Sequence, residues 1–595
     1  MKFPHQSQRL VFLIPVVLVT ALAVLAAGVI PFALSAVSAA VCLGWLTVLK
    51  TVPRNRVILF FFAGVAFVFL TYLPMPAFVH RANPRRAVQN RTAAGAVERA
   101  ADLGIANPVD RHFSLSRDRA GTGRALLLLI TVLGTLALTS AMRNTWKKKF
   151  LKFLIVIGTV LAAAGFTTQW LLPQGKYVWW LIPVEHGEPA GCFINRNHFG
   201  GFVALLCPAA LVLFARGLSR RNAREILWPG TAFAVMSLAV FASLSRGAWI
   251  AYAAAVIATL TLSARGSRLL RTAGAALLAA FTLLGVLIAG PREIEERAAS
   301  LHEPVRTPSA RMRIATWRNS LEIVPDFPIA GVGAGAFRAV FPQYRTAATR
   351  QSYTFAENDY IQTMVEGGAL GTFLSIAVLW FFLRGWRRRV RSGDLDADIS
   401  LSVAGALIAA CVHSMFDFPA RVPLYAVVLA SMAGLVIEDG APGSTEPPAR
   451  GAVSWAAIPI AALICVASIS VSGKSVYTLD DPVYLTSADT TALCRSLIWS
   501  PAYWVPWYHL GRSAMASDGN PAHEFGEECI SRAAYYDPNN YRLWRELARV
   551  RLGIGDTAGA LEAYRRTREL REWVRVPELE RLASGSKLDS RPLRR

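Results

Sequence analysis

Apolar runs of about twenty residues recur along most of this 595-residue chain, and they constrain its fold more than any other feature. A run of that length is what a helix needs to cross the hydrocarbon core of a membrane. Only 17% of the residues are charged and 54% are hydrophobic, which is too little charge for a soluble protein of this size. The sequence therefore predicts an all-α, polytopic membrane protein and excludes a soluble enzyme.

The apolar runs predict about 13 membrane spans. These cover approximately residues 10–29, 30–49, 57–76, 125–142, 151–170, 199–215, 229–244, 248–264, 270–290, 359–384, 398–417, 421–438 and 453–472. Lys and Arg cluster in five connections, at 50–56, 143–152, 216–224, 265–271 and 384–391. With the N-terminus inside, all five fall on the cytoplasmic side, as such clusters usually do. The net charge of +24 is therefore ascribed to these loops and to anionic headgroups, and no nucleic-acid partner is expected.

This orientation predicts that a membrane domain, 1–475, presents a long polar loop, 291–358, to the outside. A connection of that length is a common place for chemistry. The segment 77–124 is also expected outside although it is basic, and we interpret it as a solvated amphipathic segment at the outer headgroup surface.

The tail, 476–595, contains no run long enough to span a membrane and is also expected outside. Within it, 500–516 and 537–553 echo each other at an offset of 37 residues, with Trp507 aligned to Trp544. The offset is close to the repeat length of about 34 found in tetratricopeptide repeats. The tail resembles such a module, which is an α-helical domain that either binds a protein partner or caps its own membrane domain.

Five polar segments lie in the long loop or at the ends of predicted spans, and they carry the residues best suited to chemistry. They read NRNHFGG at 195–201, SLSRG at 243–247, RIATW at 313–317 followed by DFPIAGVGAGAF at 326–337, AENDYIQ at 356–362 with EGG at 366–368, and HSMFDFP at 413–419. The glycine run at 331–335 follows no strand, so it indicates a tight or flexible hinge and not a nucleotide loop.

Together and in this order, the five segments resemble the O-antigen ligase / O-antigen polymerase family of bacterial inner-membrane proteins, over about residues 10–440. The resemblance implies a membrane-embedded glycosyltransferase of the GT-C kind that is inverting and uses no metal or other cofactor. Such enzymes take a glycan from an undecaprenyl-pyrophosphate carrier at the periplasmic face. Ligases pass it to lipid A-core, polymerases to another lipid-linked unit, and related oligosaccharyltransferases to protein hydroxyls.

Arginine is the residue expected to meet the departing pyrophosphate, because its planar fork binds phosphate oxygens in pairs and stays charged. Arg246 lies at a predicted tight turn, and the resemblance favours a catalytic role over a snorkelling side chain. Arg313 matches the family's second arginine by its spacing to Trp317. Arg311 is a rival on the same predicted helix, and a solvated basic face remains an alternative for either residue.

Glu357 occupies the position where many family members have the histidine proposed to activate the acceptor hydroxyl. A carboxylate within reach of the hydroxyl can do that work. Alternatively, Glu357 caps the helix that follows it. His198 and His413 are fallback bases or simply satisfied polar groups. The remaining candidates could bind sugar or only satisfy the interface, and they are Asn197, Asn358, Tyr360 and Gln362.

The function predicted first is therefore transfer of a glycan from a polyprenyl-pyrophosphate donor to a glycan, lipid or protein hydroxyl. One alternative is a polymerase of exopolysaccharide or O-antigen repeat units. Another is a non-catalytic membrane scaffold that recruits a protein through the tail. A transporter is weaker, since Glu366 is the only acid placed well inside a span. The membrane lipids themselves are the remaining expected partner.

Overall fold

The computed structural model describes residues 5–24, 40–41, 43, 55–170, 177–179, 182–183, 187–263, 308–346, 353–437 and 489–585. Most of these residues are helical, and they also include one antiparallel pair of two-residue strands. In chain order they are α1 (His5–Val24), α2 (Arg56–Tyr72), α3 (Ala77–Arg81), α4 (Pro84–Asp102), α5 (Arg119–Ser140), α6 (Asn144–Trp170), β1 (Tyr177–Val178), β2 (Ile182–Pro183), α7 (Arg196–Arg220), α8 (Ala223–Ala242), α9 (Arg246–Leu262), α10 (Pro308–Leu321), α11 (Phe337–Val340), α12 (Asp359–Ser392), α13 (Ala397–His413), α14 (Pro423–Val436), α15 (Thr490–Trp499), α16 (Trp504–Met515), α17 (Asn520–Tyr536), α18 (Tyr541–Gly553), α19 (Thr557–Leu570) and α20 (Pro577–Gly585).

Five of these helices, α5, α6, α7, α8 and α12, are long and apolar enough to cross a membrane. Five more are apolar but shorter, with 17 or fewer residues in the apolar part, namely α1, α2, α9, α13 and α14. The predicted spans 270–290 and 453–472 lie outside the described residues, as does 30–49 except for residues 40, 41 and 43. The prediction of an all-α membrane protein is confirmed at this level, and the count of about 13 spans stays a prediction.

Of these five long helices α7 is the most buried, and it packs against α6, α8, α9 and α13. Its apolar side chains are buried all round, from Phe199 to Leu211, as expected for a helix at the centre of a bundle. In contrast, α12 leaves a row of large apolar side chains exposed, including Phe373, Ile376 and Trp380. An exposed apolar stripe of this kind fits contact with lipid.

The two ends of the bundle differ in composition. At one end the basic connections meet, with Lys148 Nζ 2.6 Å from Asp396 Oδ2 and Arg216 paired to Asp398. At the other end lie the starts of α7, α9 and α12 and the end of α13, which carry the polar segments described above. This arrangement gathers the described basic connections on the side opposite those segments, as the predicted topology requires.

A second hydrophobic core lies beyond that polar end and joins three parts of the chain. It combines Val97 of α4, Phe337 of α11 and Leu497 of α15 with their neighbours. Within it α4 buries Arg86, and the connection to α5 buries Arg117. The Arg117 guanidinium donates to Asn90 Oδ1 and to the Ser114 carbonyl, each at 2.8 Å. The segment 77–124 is therefore amphipathic, but it is not solvated on this face, where Arg86, Asn90 and Arg117 are buried. Its position at the outer headgroup surface stays a prediction.

The tail consists of antiparallel helices, with α16 packed on α17 and α18 on α19. The sequence echo has a structural counterpart. Trp507 Nε1 donates to the Pro501 carbonyl at 3.1 Å, and Trp544 Nε1 donates to the Pro538 carbonyl at 2.8 Å. Each bond joins the turn before a helix to that helix, so the two units fold in the same way. The tetratricopeptide assignment itself stays a prediction.

Candidate functional site

Three of the polar segments meet through close approaches at two glycines. A Cβ on Gly201, in the first segment, would lie 2.4 Å from Cε1 of His413, in the fifth. A Cβ on Gly247, in the second, would lie 3.2 Å from Cβ of Phe416. Because glycine has no side chain, α7 and α9 can press directly against the turn after α13. The glycines of the first two segments therefore bring three segments, far apart in the chain, to one place.

The start of α12 is tied to the same turn by hydrogen bonds. Asn358 Nδ2 donates to the Met415 carbonyl at 3.0 Å, and the Asp359 amide donates to the Ser414 carbonyl at 3.0 Å. The Asp359 carboxylate in turn accepts from Ser414 Oγ and from the Ala420 amide, each at 3.0 Å. Bonds to a charged acceptor are stronger than neutral ones, so this junction is firmly held. It adds the fourth segment to the cluster.

The glycine run joins the third segment to α12 at a break in that helix. Gly368 has φ +59° and ψ −158°, which interrupts the helical hydrogen bonds. The freed groups pair with the third segment in four bonds, from Val332 N to Val365 O, Gly333 N to Glu366 O, Ala369 N to Pro328 O and Leu370 N to Ile329 O. The run is thus a tight turn that satisfies a broken helix, which settles the expected choice between a tight and a flexible hinge.

Glu357 lies in the middle of these segments and faces Arg313, whose Nη2 is 3.7 Å from Glu357 Oε2. The Arg313 side chain is 27% exposed and the Glu357 side chain is 21% exposed, so water only partly screens the pair. Burial raises the pKa of the Glu357 carboxyl to about 7, the negative charge of Asp417 adds to this, and Arg313 opposes it. The Glu357 carboxyl can therefore take up a proton near neutral pH.

The backbone at Glu357 is also unusual, since its φ is +56°. A residue with a side chain rarely adopts this left-handed conformation, and such strain is found mostly at functional sites. The helix that follows is capped by Asn358, whose Oδ1 accepts from the Tyr360 and Ile361 amides at 2.9 and 3.1 Å. The alternative in which Glu357 caps that helix is therefore wrong, because Asn358 already fills the position.

Two histidines flank one carboxylate beside Glu357. His198 Nε2 lies 3.2 Å from Asp417 Oδ1, and His413 Nε2 lies 3.8 Å from Asp417 Oδ2. His413 is fully buried, whereas His198 keeps 12% of its side chain exposed. The Phe418 ring packs edge-on against His198, with ring centroids 4.7 Å apart. The arrangement orients His198 through Asp417, a residue that the sequence placed in a motif but not among the site residues.

The two candidate arginines of the third segment are separated by the structure. Arg313 is half-buried and faces Glu357, whereas Arg311, two residues earlier on α10, is exposed. Arg246 is the first residue of α9 and is half-buried, and Ser245 caps that helix by accepting from the Ala248 amide. Arg246 adjoins Gly247, whose backbone abuts the turn at Phe416. Arg246 is thus held at the margin of the same cluster.

Three of the residues predicted to bind sugar support the fold in this conformation. Gln362 is fully buried, its Nε2 donating to Glu366 Oε1 at 2.7 Å and its Oε1 accepting from the Ala356 amide at 2.6 Å. The hydroxyl of Tyr360 donates to the Cys411 carbonyl at 2.9 Å, and Asn358 serves as the cap described above. Asn197 lies in the first turn of α7, beside His198, with its amide donating to Asn195 Oδ1 at 2.8 Å.

Arg421 is a further basic residue at the site that sequence reasoning missed. Its Nη2 lies 3.2 Å from Glu366 Oε2, and its Nε lies 3.8 Å from Asp359 Oδ1. The ion pair explains how Glu366 can be buried in an apolar helix. Within the part of the chain that the structure describes, no group of three His, Cys, Asp or Glu side chains could hold a metal ion.

Residues 231–376 match the family model described as O-antigen ligase. The matched region contains Arg246, Arg313 and Glu357, while His198 and Asp417 lie outside it. A search of curated proteins gave no match. The match supports the O-antigen ligase family and, with it, a membrane protein with a general role in glycan transfer.

Proposed function

We propose that this protein is a metal-independent, inverting glycosyltransferase of the bacterial inner membrane, with its site and its tail on the periplasmic side. The donor is a glycan on a polyprenyl-pyrophosphate carrier such as undecaprenyl pyrophosphate. The acceptor is a hydroxyl group, on lipid A-core if the chain is a ligase. The O-antigen ligase match and the lipid-facing helices support this choice of substrate class and location.

In the proposed reaction the acceptor oxygen bonds to the anomeric carbon while the bond from that carbon to the pyrophosphate oxygen breaks. The acceptor proton passes to the Glu357 carboxylate, and the electron pair of the broken bond stays on polyprenyl pyrophosphate. Burial favours this role, since it raises the pKa of Glu357 to about 7 and so makes the carboxylate a stronger base. His198, oriented by Asp417 at 3.2 Å, is the nearest substitute for it.

Arg313 and Arg246 are proposed to bind the pyrophosphate and to stabilise the charge that builds on it as it leaves. Guanidinium groups suit this work because they remain charged and bind phosphate oxygens through two parallel hydrogen bonds. In the structure Arg313 pairs with Glu357. Binding of pyrophosphate would draw Arg313 away and leave the carboxylate available to the acceptor.

The single observation that carries this proposal is the ion pair of Arg313 with Glu357, 3.7 Å apart, at the point where five distant polar segments are tied together. The Arg313 guanidinium can bind a phosphate, and the buried Glu357 carboxylate, with its raised pKa, can accept a proton. Glycan transfer from a pyrophosphate requires both groups.

The test is glycan transfer in a strain that lacks the native gene and expresses single variants. We expect Arg246→Ala and Arg313→Ala to lower surface glycan by roughly a hundredfold or more, since each removes one stabilising cation from the transition state. Lipid-linked glycan should accumulate at the same time. The control is Arg318→Ala, which removes an exposed arginine from the same helix as Arg313 and should change nothing. Normal surface glycan in both variants, at normal protein levels, would disprove the catalytic assignment and favour a scaffold.

A further inference from the structure

A cavity of about 580 Å³ lies between the tail and the polar end of the bundle. Its walls come from the ends of two apolar helices, from the connection before α5, and from α15 of the tail. The residues that line it are Pro74, Pro108, Val109, Asp110, His112, Arg119, Arg495, Ile498 and Trp499. None of them belongs to the cluster around Glu357, so the cavity is a separate feature.

Arg119 is held rigidly at the wall of this cavity. Its guanidinium carbon lies 4.8 Å from the ring centroid of Tyr72 and 5.0 Å from that of Trp499, so it is held between two aromatic rings. Its Nε is buried and has no hydrogen-bond partner among the described residues. A snorkelling arginine would extend into water, whereas the two rings fix this one in place.

The charges around the cavity do not cancel. Arg119 and Arg495 line it together, and in the described part of the chain no carboxylate lies within ion-pair distance of either. Asp110 is the one acidic residue in the lining, and it is exposed. Two arginines facing one cavity without a carboxylate partner favour a ligand with a concentrated negative charge.

The position of the cavity indicates where that ligand comes from. Tyr72 is the last residue of α2, a shorter apolar helix, and Arg119 is the first residue of α5, which is long and apolar enough to cross a membrane. Side chains at the ends of such helices lie at the depth of the lipid headgroups, where Tyr, Trp and Arg are enriched. At this depth the abundant anion is the phosphate of an acidic phospholipid.

We propose that this cavity binds the phosphate of an anionic phospholipid headgroup, held by Arg119 from the bundle and Arg495 from the tail. The headgroup then joins the tail to the membrane domain, because one arginine belongs to each. Trp499 and Ile498 cover its apolar side. This site does not depend on the proposed glycan transfer.

The test uses the purified full-length protein in detergent, with dioleoyl phosphatidylglycerol as probe, dioleoyl phosphatidylcholine as zwitterionic comparison and inorganic phosphate as competitor. Bound lipid is counted by native mass spectrometry. We expect Arg119→Gln/Arg495→Gln to retain phosphatidylglycerol roughly tenfold or more less strongly, since each charge-assisted contact contributes about that factor or more. Arg495→Gln alone changes an exposed side chain, cannot unfold the protein, and should show part of the loss.

The matched control is Arg91→Gln/Arg549→Gln, which removes two exposed arginines from α4 and α18 and gives the same change in net charge. It should retain phosphatidylglycerol as the unchanged protein does. Undiminished binding in both cavity variants, or an equal loss in the control, would overturn the proposal. Binding of inorganic phosphate that depends on Arg119 and Arg495 while phosphatidylglycerol binding does not would assign the cavity to a soluble anion and also overturn it.

Discussion

Burial decides how Glu357 can act, because the environment raises its pKa to about 7. A general base works in its deprotonated form, so we expect the transfer rate to rise with pH through about 7 and to level off above it. The folded state binds this proton more tightly than the unfolded state. The contribution of Glu357 to stability is therefore present at low pH and lost as the pH rises through about 7.

Glu357→Gln removes the base and keeps the shape of the side chain. We expect the transfer rate to fall by about 10²-fold or more, and the rise with pH to disappear. Both are measured as transfer rate between pH 5.5 and 8.5 with purified protein and lipid-linked donor. A variant that keeps the rise through pH 7 would place the base elsewhere, with His198 as the first candidate because of its contact with Asp417.

Glu357→His tests whether the position, and not the carboxylate, carries the role. The resembling family often has histidine there, and a neutral imidazole is a competent base near its ordinary pKa of about 6.5. We expect this variant to keep a rate within about tenfold of the unchanged protein, with the rise shifted slightly to lower pH. An inactive histidine variant that is folded would show that the chain depends on the charge of Glu357 beside Arg313.

At the scale of the helix, the break in α12 depends on Gly368. Its φ of +59° with ψ −158° suits only glycine, and a Cβ there would lie 2.5 Å from the Gly331 amide nitrogen. We expect Gly368→Ala to lower the free energy of unfolding by at least about 1–3 kcal/mol, from backbone strain alone. Transfer should fall as well, because the third segment loses its attachment to α12. Thermal unfolding and transfer rate measure the two effects.

Gly385→Ala is the matched control, since it lies in the same helix with no atom close enough to meet a new Cβ. Alanine is the better helix former by about 1 kcal/mol, so this variant should be as stable as the unchanged protein or more so. Equal stability of Gly368→Ala and the unchanged protein would mean that the break in α12 is not a required feature.

These elements also show what a sequence can predict. Hydropathy is a local property, so the apolar runs placed helices such as α2 and α9 to within a few residues. The break at Gly368 depends on partners in 328–333 some 35 residues earlier, and nothing local indicates which carbonyl groups they meet. Similarly, Glu357 could be singled out by its position in a motif, but its pairing with Arg313 and the nearness of Asp417 arise only from packing.

At the scale of the whole molecule, the tail is a packed part of the protein. Its helices α15 and α17 contact α4, and Ser500 Oγ donates to Asp118 Oδ1 at 3.1 Å. Asp118 also pairs with Arg338, whose Nε lies 2.9 Å from Asp118 Oδ2. Of the two roles foreseen for the tail, packing against its own membrane domain is thus observed, and a partner protein would have to use another face.

A buried ion pair also attaches the tail. Arg345, which follows α11, donates from Nε and Nη2 to Asp537 Oδ1 at 2.9 and 2.6 Å, and the side chains are only 4% and 1% exposed. Removing one partner leaves the other charge buried and unpaired, which costs about 3–5 kcal/mol. We expect Asp537→Asn to release the tail, seen as faster amide exchange in 84–102, 341–346 and 490–553.

Two further variants separate loss of docking from loss of folding. Arg566→Ala breaks an exposed pair with Glu569 on α19 and should leave exchange unchanged, since exposed pairs contribute at most about 1 kcal/mol. Arg345→Met/Asp537→Leu replaces the buried pair with apolar side chains of similar volume, which is often neutral or stabilising, so protection should return. If Asp537→Asn kept the full protection of 341–346, this pair would not hold the tail, and the loop that leads to Glu357 would have to be fixed by the bundle alone.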